Sequence, residues 1–272
     1  MKILKIISIW ILAILLTVSA AVFQRMTGPT NPLKEKIIFA DKTIPIKLLR
    51  SLETKNHNGF LLKISDSTLS GIVYHRIYPS GEKFTIDTLL KTADGLFAPI
   101  PAQKAAGKIV YKIILTDGEN TYESPYVTAR YKDSVPATWL ISHILFMFAA
   151  MLLAVVAGLK ALFRFGNFSK ILVWSGILLF FGGMILGCIV QKYAFGVYWA
   201  GVPFGWDLTD NKTLLILLLF AFAIWKNFKK PSRVWTIIAV TGLLLIYMIP
   251  HSLFGSELDH KTGKITTARL AE

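Results

Sequence analysis

The chain has 272 residues, of which 54% are hydrophobic, and its mean hydropathy is +0.54. Values this high are typical of integral membrane proteins and exclude an ordinary soluble domain. The net charge of +14 does not predict a nucleic-acid partner, because much of it lies beside apolar segments, where Lys and Arg mark the cytoplasmic side of a membrane. The single cysteine, Cys188, excludes an intrachain disulfide and a cysteine-based metal cluster. We therefore expect contact with a lipid bilayer and no nucleic-acid binding.

The N-terminal segment, residues 1–23, is apolar and begins with Lys2 and Lys5. Its length of about 20 apolar residues is enough to cross a bilayer. Residues 18–20 (VSA) fit a signal-peptidase site, so the segment is either a signal-anchor or a cleaved signal peptide. The apolar character continues through Phe23, which favours the anchor. In both cases the leading charges predict that the residues after the segment are exported.

Residues 24–136 are polar and contain short alternating segments separated by turn signals, which predicts β-strands. Strands of this length at regular spacing indicate an external all-β sandwich with antiparallel strands. The segments predicted as strands are 43–49, 60–64, 71–78, 108–115 and 121–131.

Two stretches of this region carry a family resemblance. GIVYHRIYPSGEKF (71–84) and LFAPIPAQKAAGKIVYKIILTDGEN (96–120) resemble bacterial fibronectin type III or immunoglobulin-like modules. The resemblance implies a fold more than an activity, since such modules are mostly binding or spacer domains. It leads us to expect a protein partner that docks through residues 24–136.

Four further apolar segments follow, at 138–162, 171–190, 213–225 and 234–249. They predict a membrane α-helical bundle of four helices in residues 137–252, in addition to the N-terminal signal-anchor. The loops 163–170 and 226–233 are basic and contain no acidic residue, so both should be cytoplasmic.

This charge bias predicts a multi-pass protein of the bacterial cytoplasmic (inner) membrane. The β-domain, the connection 191–212 and a C-terminal tail, 253–272, are then external, on the periplasmic side. The segment 213–225 has only about 13 residues, whereas about 20 are needed to cross the hydrocarbon. Its helix should therefore begin further out, near Thr209 or Asp210, and the connection should fold as a lid over the bundle.

Two histidines lie where the helices meet the external side. His143 is about one and a half turns inside the first bundle helix, and His251 follows Pro250 at the end of the last one. Ionisable residues at this depth are costly and are therefore candidates for function. Two neutral imidazoles that face each other are suitable axial ligands for a haem iron. Each histidine alone is also explained as an interfacial residue that hydrogen-bonds to a neighbour or a headgroup.

The connection contains a second resemblance. FGVYWAGVPFGWDLTDNKTLLILLLF (195–220) is similar to the tryptophan-rich segment of haem-handling membrane proteins that serve cytochrome c maturation. The order of an external histidine, two helices, the loop, two helices and a second external histidine also matches. The sequence departs from the family pattern at Phe195, which replaces a tryptophan, and at the extra residues 201–205.

The resemblance implies haem as a cofactor, with His143 and His251 as the ligands of its iron. It also implies an external platform on which aromatic faces stack against the flat macrocycle. The residues that occupy matching positions of the platform are Gly196, Trp199, Trp206 and Asp207. The loop is otherwise explained as an aromatic belt at the membrane interface.

Two other functions stay open. The chain could be a non-enzymatic assembly or scaffold subunit that docks a partner through its β-domain. It could also be a membrane enzyme or transporter that uses an external Asp/His cluster. The sequence contains no catalytic triad order, phosphate loop or haem-attachment motif, so we expect a binding role more than catalysis. The residues considered for the external cluster are Asp207, Asp210, His251 and Glu257. A separate carboxylate–histidine group in the tail, Glu257, Asp259 and His260, could bind metal or do acid–base work and is otherwise explained as part of a solvated tail.

Overall fold

The structure is a computed structural model that describes residues 2–39, 42–55, 58–64, 66, 68–79, 83–251, 255–260, 262–263 and 265–267. The chain divides into two compact units. The helical unit consists of Met1–Gly28, Val135–Gly255 and Thr267–Glu272, and the β unit consists of Pro29–Ser134 and Ser256–Thr266.

The described residues of the helical unit form five helices. Four of them are long and apolar enough to cross a membrane, and the fifth has only 16 residues. This confirms membrane-spanning candidates at the N-terminal segment and at the first three predicted bundle segments, whereas the last predicted segment forms a shorter apolar helix. The helices are α1 (Lys2–Thr27), α2 (Ala137–Leu162), α3 (Ser169–Phe195), α4 (Leu208–Lys229) and α5 (Arg233–Met248).

Helix α1 is an integral part of this unit. It runs without a break through residues 18–20 and packs Ile9 and Ala13 against Val155 and Val156 of α2. These side chains are buried in the contact. The first helix therefore covers apolar surface of α2.

Small residues let the bundle helices approach each other closely. A Cβ atom at Gly158 of α2 would lie 2.8 Å from Val240 of α5, and one at Gly183 of α3 would lie 2.7 Å from Thr213 of α4. Because apolar burial does not drive association inside lipid, such close backbone approach is a main source of packing energy in membrane bundles.

Helix α3 contains an irregular turn. Its segment Phe180–Leu186 is π-helical, and the backbone N–H of Gly187 donates to the carbonyl of Gly182. Turns of this kind, with bonds between residues five apart, are frequent at functional sites. The turn is relevant to the candidate site because the Gly182 carbonyl also accepts a hydrogen bond from a histidine, as described below.

The β unit contains thirteen described strands. Their ranges are β1 (Leu33–Phe39), β2 (Lys42–Leu48), β3 (Ser51–Glu53), β4 (Gly59–Leu62), β5 (Ser70–Tyr78), β6 (Thr85–Thr88), β7 (Leu90–Thr92), β8 (Gly95–Pro99), β9 (Lys108–Thr116), β10 (Thr121–Glu123), β11 (Val127–Lys132), β12 (Ser256–Leu258) and β13 (Ile265–Thr267).

These strands form separate sheets around one apolar core. The largest has the order β3-β11-β9-β5-β6, with β10 beside β9, and the others are β4-β8-β7, β1-β2 and β12-β13. Side chains of β9 alternate between buried and half-buried along the whole strand, as a sheet with one core face requires. The β-sheet region predicted from the sequence is thus present.

Two details of the strands differ from the prediction. The segment 121–131 forms two strands, β10 and β11, because Pro125 between them has no N–H to donate to a ladder. In addition, β3 pairs with β11 in parallel, whereas the remaining pairs among the described strands β1–β11 are antiparallel.

Part of the C-terminal tail belongs to the β unit. Glu257 forms an ion pair with Lys108, with 3.1 Å between Oε2 and Nζ, and Leu258 N–H donates to the carbonyl of Ala106. Ser256 and Leu258 are buried. The sequence analysis treated residues 253–272 as a separate tail, because a pairing with such a distant segment leaves no local signal.

Candidate functional site

The tryptophan-rich loop begins where α3 ends. Gly196 has a φ of 82° and closes the helix with a bond from its N–H to the Lys192 carbonyl. A left-handed residue at this position is most easily glycine. Gly196, which the resemblance assigns to a haem platform, therefore serves here as the C-cap of α3.

The first turn of α4 holds the loop in place. The Asp210 carboxylate accepts bonds from the Ala200 N–H, at 2.6 Å, and from the Gln191 side-chain amide, at 3.0 Å. Asn211 Oδ1 accepts from the Val202 N–H at 2.8 Å. Side chains of one helix thus satisfy the backbone donors of the loop, which makes the loop a folded element of the unit.

Asp207 ends the loop and starts the helix. It is buried, and its Oδ1 accepts from the N–H groups of Thr209 and Asp210 at 2.9 and 3.4 Å. This is an N-cap, the arrangement in which a side-chain oxygen satisfies the first free donors of a helix. The outward extension predicted for the third bundle helix is therefore present, and Asp207 is the residue that caps it.

The aromatic residues of the loop divide into two groups. Trp199 is half-buried, and its indole N–H donates to the Val202 carbonyl at 3.1 Å. Trp206 and Phe204 project outward, with 75% and 83% of their surfaces exposed. Tyr198 is also exposed. Trp199 shapes the loop, and the Lys192 ammonium lies over the Tyr198 ring, 5.3 Å from its centroid, whereas Trp206 and Phe204 are the most exposed aromatic residues of the loop.

His143 of α2 is oriented by the π-helical turn. Its Nδ1 lies 2.8 Å from the Gly182 carbonyl oxygen. A carbonyl only accepts, so Nδ1 carries the proton and Nε2 carries the lone pair. Histidines that bind metals are typically held in this way, by a backbone carbonyl on the other ring nitrogen. His143 is thus prepared to act as a ligand through Nε2.

In His251 the Nδ1 atom has the opposite role, because it accepts hydrogen bonds and does not donate one. Its Nδ1 lies 3.2 Å from the Gln24 amide nitrogen and 3.4 Å from the Lys212 ammonium. Lys212 also donates to the Ile249 carbonyl at 2.6 Å, so the lysine satisfies the end of α5. An ammonium only donates, and Nδ1 of His251 is therefore the acceptor.

The two histidines lie within electrostatic range of each other. Desolvation by the surrounding atoms, followed by repulsion from Lys212 and His143, lowers the pKa of His251 from its ordinary value, even though the residue as a whole is exposed. The negative charge of Asp207 acts to raise the pKa of His251, and it also attracts the Lys212 ammonium. We refer to Gln24, His143, Asp207, Lys212 and His251 as the helix-end cluster.

The cluster contains two residues that the sequence analysis did not single out, Gln24 and Lys212. Each has a signal in retrospect, because each is a polar side chain at the edge of an apolar segment. Their importance depends on a meeting of α1, α4 and the end of α5, which only the folded chain displays. In contrast, the described part of the chain contains no group of three or more His, Cys, Asp or Glu side chains that could hold a metal ion.

The remaining candidates lie in the β unit. Glu257 is paired with Lys108. His75, which the sequence does not mark as a candidate, is buried against Asp87, with 2.6 Å between Nε2 and Oδ2. His260 is exposed on the tail. These contacts give Glu257 and His75 structural partners of their own.

Comparisons with known proteins return no match for this chain: no protein-family model, curated protein or solved structure is similar to it at a significant level. A functional interpretation has to be argued from the site.

Proposed function

We propose that this chain is an integral membrane protein that binds and handles haem at the helix-end cluster, with the tryptophan-rich loop beside it. One observation carries the proposal. Contacts at the helix ends link the two histidines: His143 bonds to Gly182, the adjacent Gly183 packs closely against Thr213, and Lys212 beside Thr213 contacts His251. The bond from Nδ1 of His143 leaves the lone pair of that ring on Nε2. The resemblance of the loop to haem-handling proteins supports the same function.

The fit to a haem iron differs between the two histidines. His143 fits as it stands, because its Nδ1 proton is held by Gly182. His251 fits only with its proton on Nδ1, since the Nδ1 lone pair now accepts from Gln24 and Lys212. When bound, haem would supply an iron centre that takes imidazole nitrogens as axial ligands.

The loop contributes positioning. Asp210 and Asn211 fix its backbone, and Trp199 fixes its curvature. The exposed faces of Trp206 and Phe204 are suited to stacking on a flat apolar ring. Asp207 supports the platform indirectly, because it caps the helix from which the loop is held.

The proposed location is the bacterial cytoplasmic membrane, with the loop and the β unit on the external side. Basic loops without acids support this orientation. The transporter or enzyme alternative gains less support, because Asp207 Oδ1 and Asp210 Oδ2 accept hydrogen bonds from backbone N–H groups and so have structural roles. The scaffold alternative, docking through the β unit, predicts a protein without haem that co-purifies with a partner.

The test is the absorption spectrum of the full chain, purified in detergent and titrated with haem. We expect a Soret band, and in His143→Ala we expect a loss of affinity of at least roughly tenfold, about 1.4 kcal/mol. His251→Ala should lose any six-coordinate low-spin fraction. His260→Ala is the matched control, because this histidine is exposed and lies in the β unit. A colourless wild type, or an unchanged affinity in His143→Ala, would overturn the proposal.

A further inference from the structure

The lone pair of His251 is already engaged by the protein. The Gln24 amide nitrogen lies 3.2 Å from the Tyr247 carbonyl oxygen and 3.2 Å from Nδ1 of His251. Because the carbonyl can only accept, this contact fixes which end of the amide faces the ring. Two donors, the Gln24 amide and the Lys212 ammonium, therefore converge on one acceptor nitrogen.

A neutral imidazole has one lone pair and one N–H. With Nδ1 accepting, the proton of His251 resides on Nε2, and neither nitrogen is available to a metal. His143 is in the reverse state, with its lone pair on Nε2. The two histidines of the proposed site are thus prepared differently.

We propose that Gln24 and Lys212 hold His251 in a non-ligating tautomer, so that His143 is the permanent ligand and His251 the displaceable one. This inference rests on the proposed function. Gln24 and Lys212 are positioning residues, since they act through the His251 ring.

Ligation through Nε2 of His251 would require its proton to move to Nδ1, with no net gain or loss of protons. The new Nδ1–H would then face two donors. Gln24 could rotate its amide to offer an oxygen, but it would lose its bond to the Tyr247 carbonyl. Lys212 has no acceptor to offer. The second ligand is therefore bound weakly, which suits a protein that passes its ligand on.

Helix α1 thus contributes a positioning residue, Gln24, to the site. Gln24 lies in the last turns of this helix, beyond the segment that packs against Val155 and Val156. Cleavage after residue 20 would separate Gln24 from that packing. We therefore expect the mature protein to retain α1, as the mass of its N-terminal peptide would report.

The first test is made without haem, on the full chain with ¹⁵N-labelled histidine, by the shifts of the two ring nitrogens. In the wild type we expect His251 to be protonated at Nε2 and His143 at Nδ1, with assignments from His251→Ala and His143→Ala. In Gln24→Glu, the carboxylate can only accept a hydrogen bond, and His251 should therefore change to the Nδ1–H form, which donates one. Gln24→Leu removes one of the two donors to Nδ1 of His251. It should shift the Nδ1 signal of His251 in the same direction as Gln24→Glu does, but by a smaller amount.

The second test adds haem and measures the ratio of six-coordinate low-spin to five-coordinate species. Gln24→Glu should raise this ratio at least roughly threefold, as a modest population shift does. The matched control is Gln103→Glu, the same change in the β unit, which should leave the ratio unchanged.

The outcomes separate the two proposals. An Nδ1 proton on His251 in the haem-free wild type would overturn the inference, and so would a tautomer and spin ratio that do not respond to Gln24→Glu. Absence of haem binding would overturn the proposed function while the haem-free spectra still reported on the Gln24 contact.

Discussion

At the scale of single residues, two buried charged groups of the helical unit, Asp207 and Lys212, have partners that explain their burial. A polar group without a hydrogen bond is costly away from water. Asp207 meets this condition by capping α4, and Lys212 meets it by binding the carbonyls at the end of α5. The position of Lys212 also brings its ammonium to 3.4 Å from Nδ1 of His251. Structural support and the candidate site therefore use the same side chains.

The role of Asp207 can be measured. Asp207→Ala removes the cap and should lower the free energy of unfolding by about 1 kcal/mol, the usual cost of a lost N-cap. Asp207→Asn is the control, because asparagine also caps helices, and it should lie between alanine and the wild type since it lacks the charge that attracts Lys212. Unfolding in denaturing detergent, followed by circular dichroism, gives the comparison. An Asp207→Ala protein as stable as the wild type would contradict the capping role.

At the scale of elements, helix length explains the polar end of the bundle. With 22 residues, α4 is about 33 Å long and can cross the hydrocarbon, whereas α5 has 16 residues and is about 24 Å long. A short helix ends early, and its last carbonyls then need donors inside the protein. Lys212 supplies them, which accounts for a lysine in an apolar helix.

The crossing of α2 and α5 depends on one glycine. In Gly158→Ala, the new Cβ would lie 2.8 Å from Cγ1 and 3.0 Å from Cβ of Val240. Valine has a stiff side chain and cannot turn away easily. We expect a loss of stability of about 1–3 kcal/mol, the usual range for overpacking.

The double variant Gly158→Ala/Val240→Ala tests the cause. It removes the clashing methyl groups and should be more stable than the sum of the two single changes predicts. Additive effects would show that the contact with Val240 is not responsible. The same unfolding assay in detergent serves for all three proteins.

At the scale of the whole molecule, the order of apolar and basic segments predicts the topology. Impermeant maleimide labelling of intact cells tests it, in a Cys188→Ala background that removes the single cysteine. Phe204→Cys in the tryptophan-rich loop should react from outside, and Phe228→Cys at the end of α4 should react only after permeabilisation. The sites are well matched, since the native side chains are 83% and 87% exposed. The reverse labelling pattern would show that the chain has the opposite orientation in the membrane.

Much of the fold could be predicted because its signals are local. Apolar segments and their lengths located the helices, and the deficit in 213–225 predicted the outward start of α4 that the structure shows at Leu208. Alternation located β2, β4, β5 and β9. Short strands such as β3 and β7 were missed, because three residues are too few to display a period.

The candidate site could be predicted only in part. His143 and His251 stood out because ionisable residues at a membrane edge are rare. The hydrogen bonds of the two histidines could not be predicted from the sequence. Their partners, Gln24, Gly182 and Lys212, belong to three other helices.

By itself, the sequence determined that this is a membrane-class chain with a β region, and it determined where the helices and the aromatic loop lie. These properties follow from hydrophobicity, charge and turn chemistry within short windows. Only the tertiary structure decided which nitrogen of each histidine carries its lone pair. That choice depends on donors and acceptors far away in the chain, and their meeting is a consequence of packing.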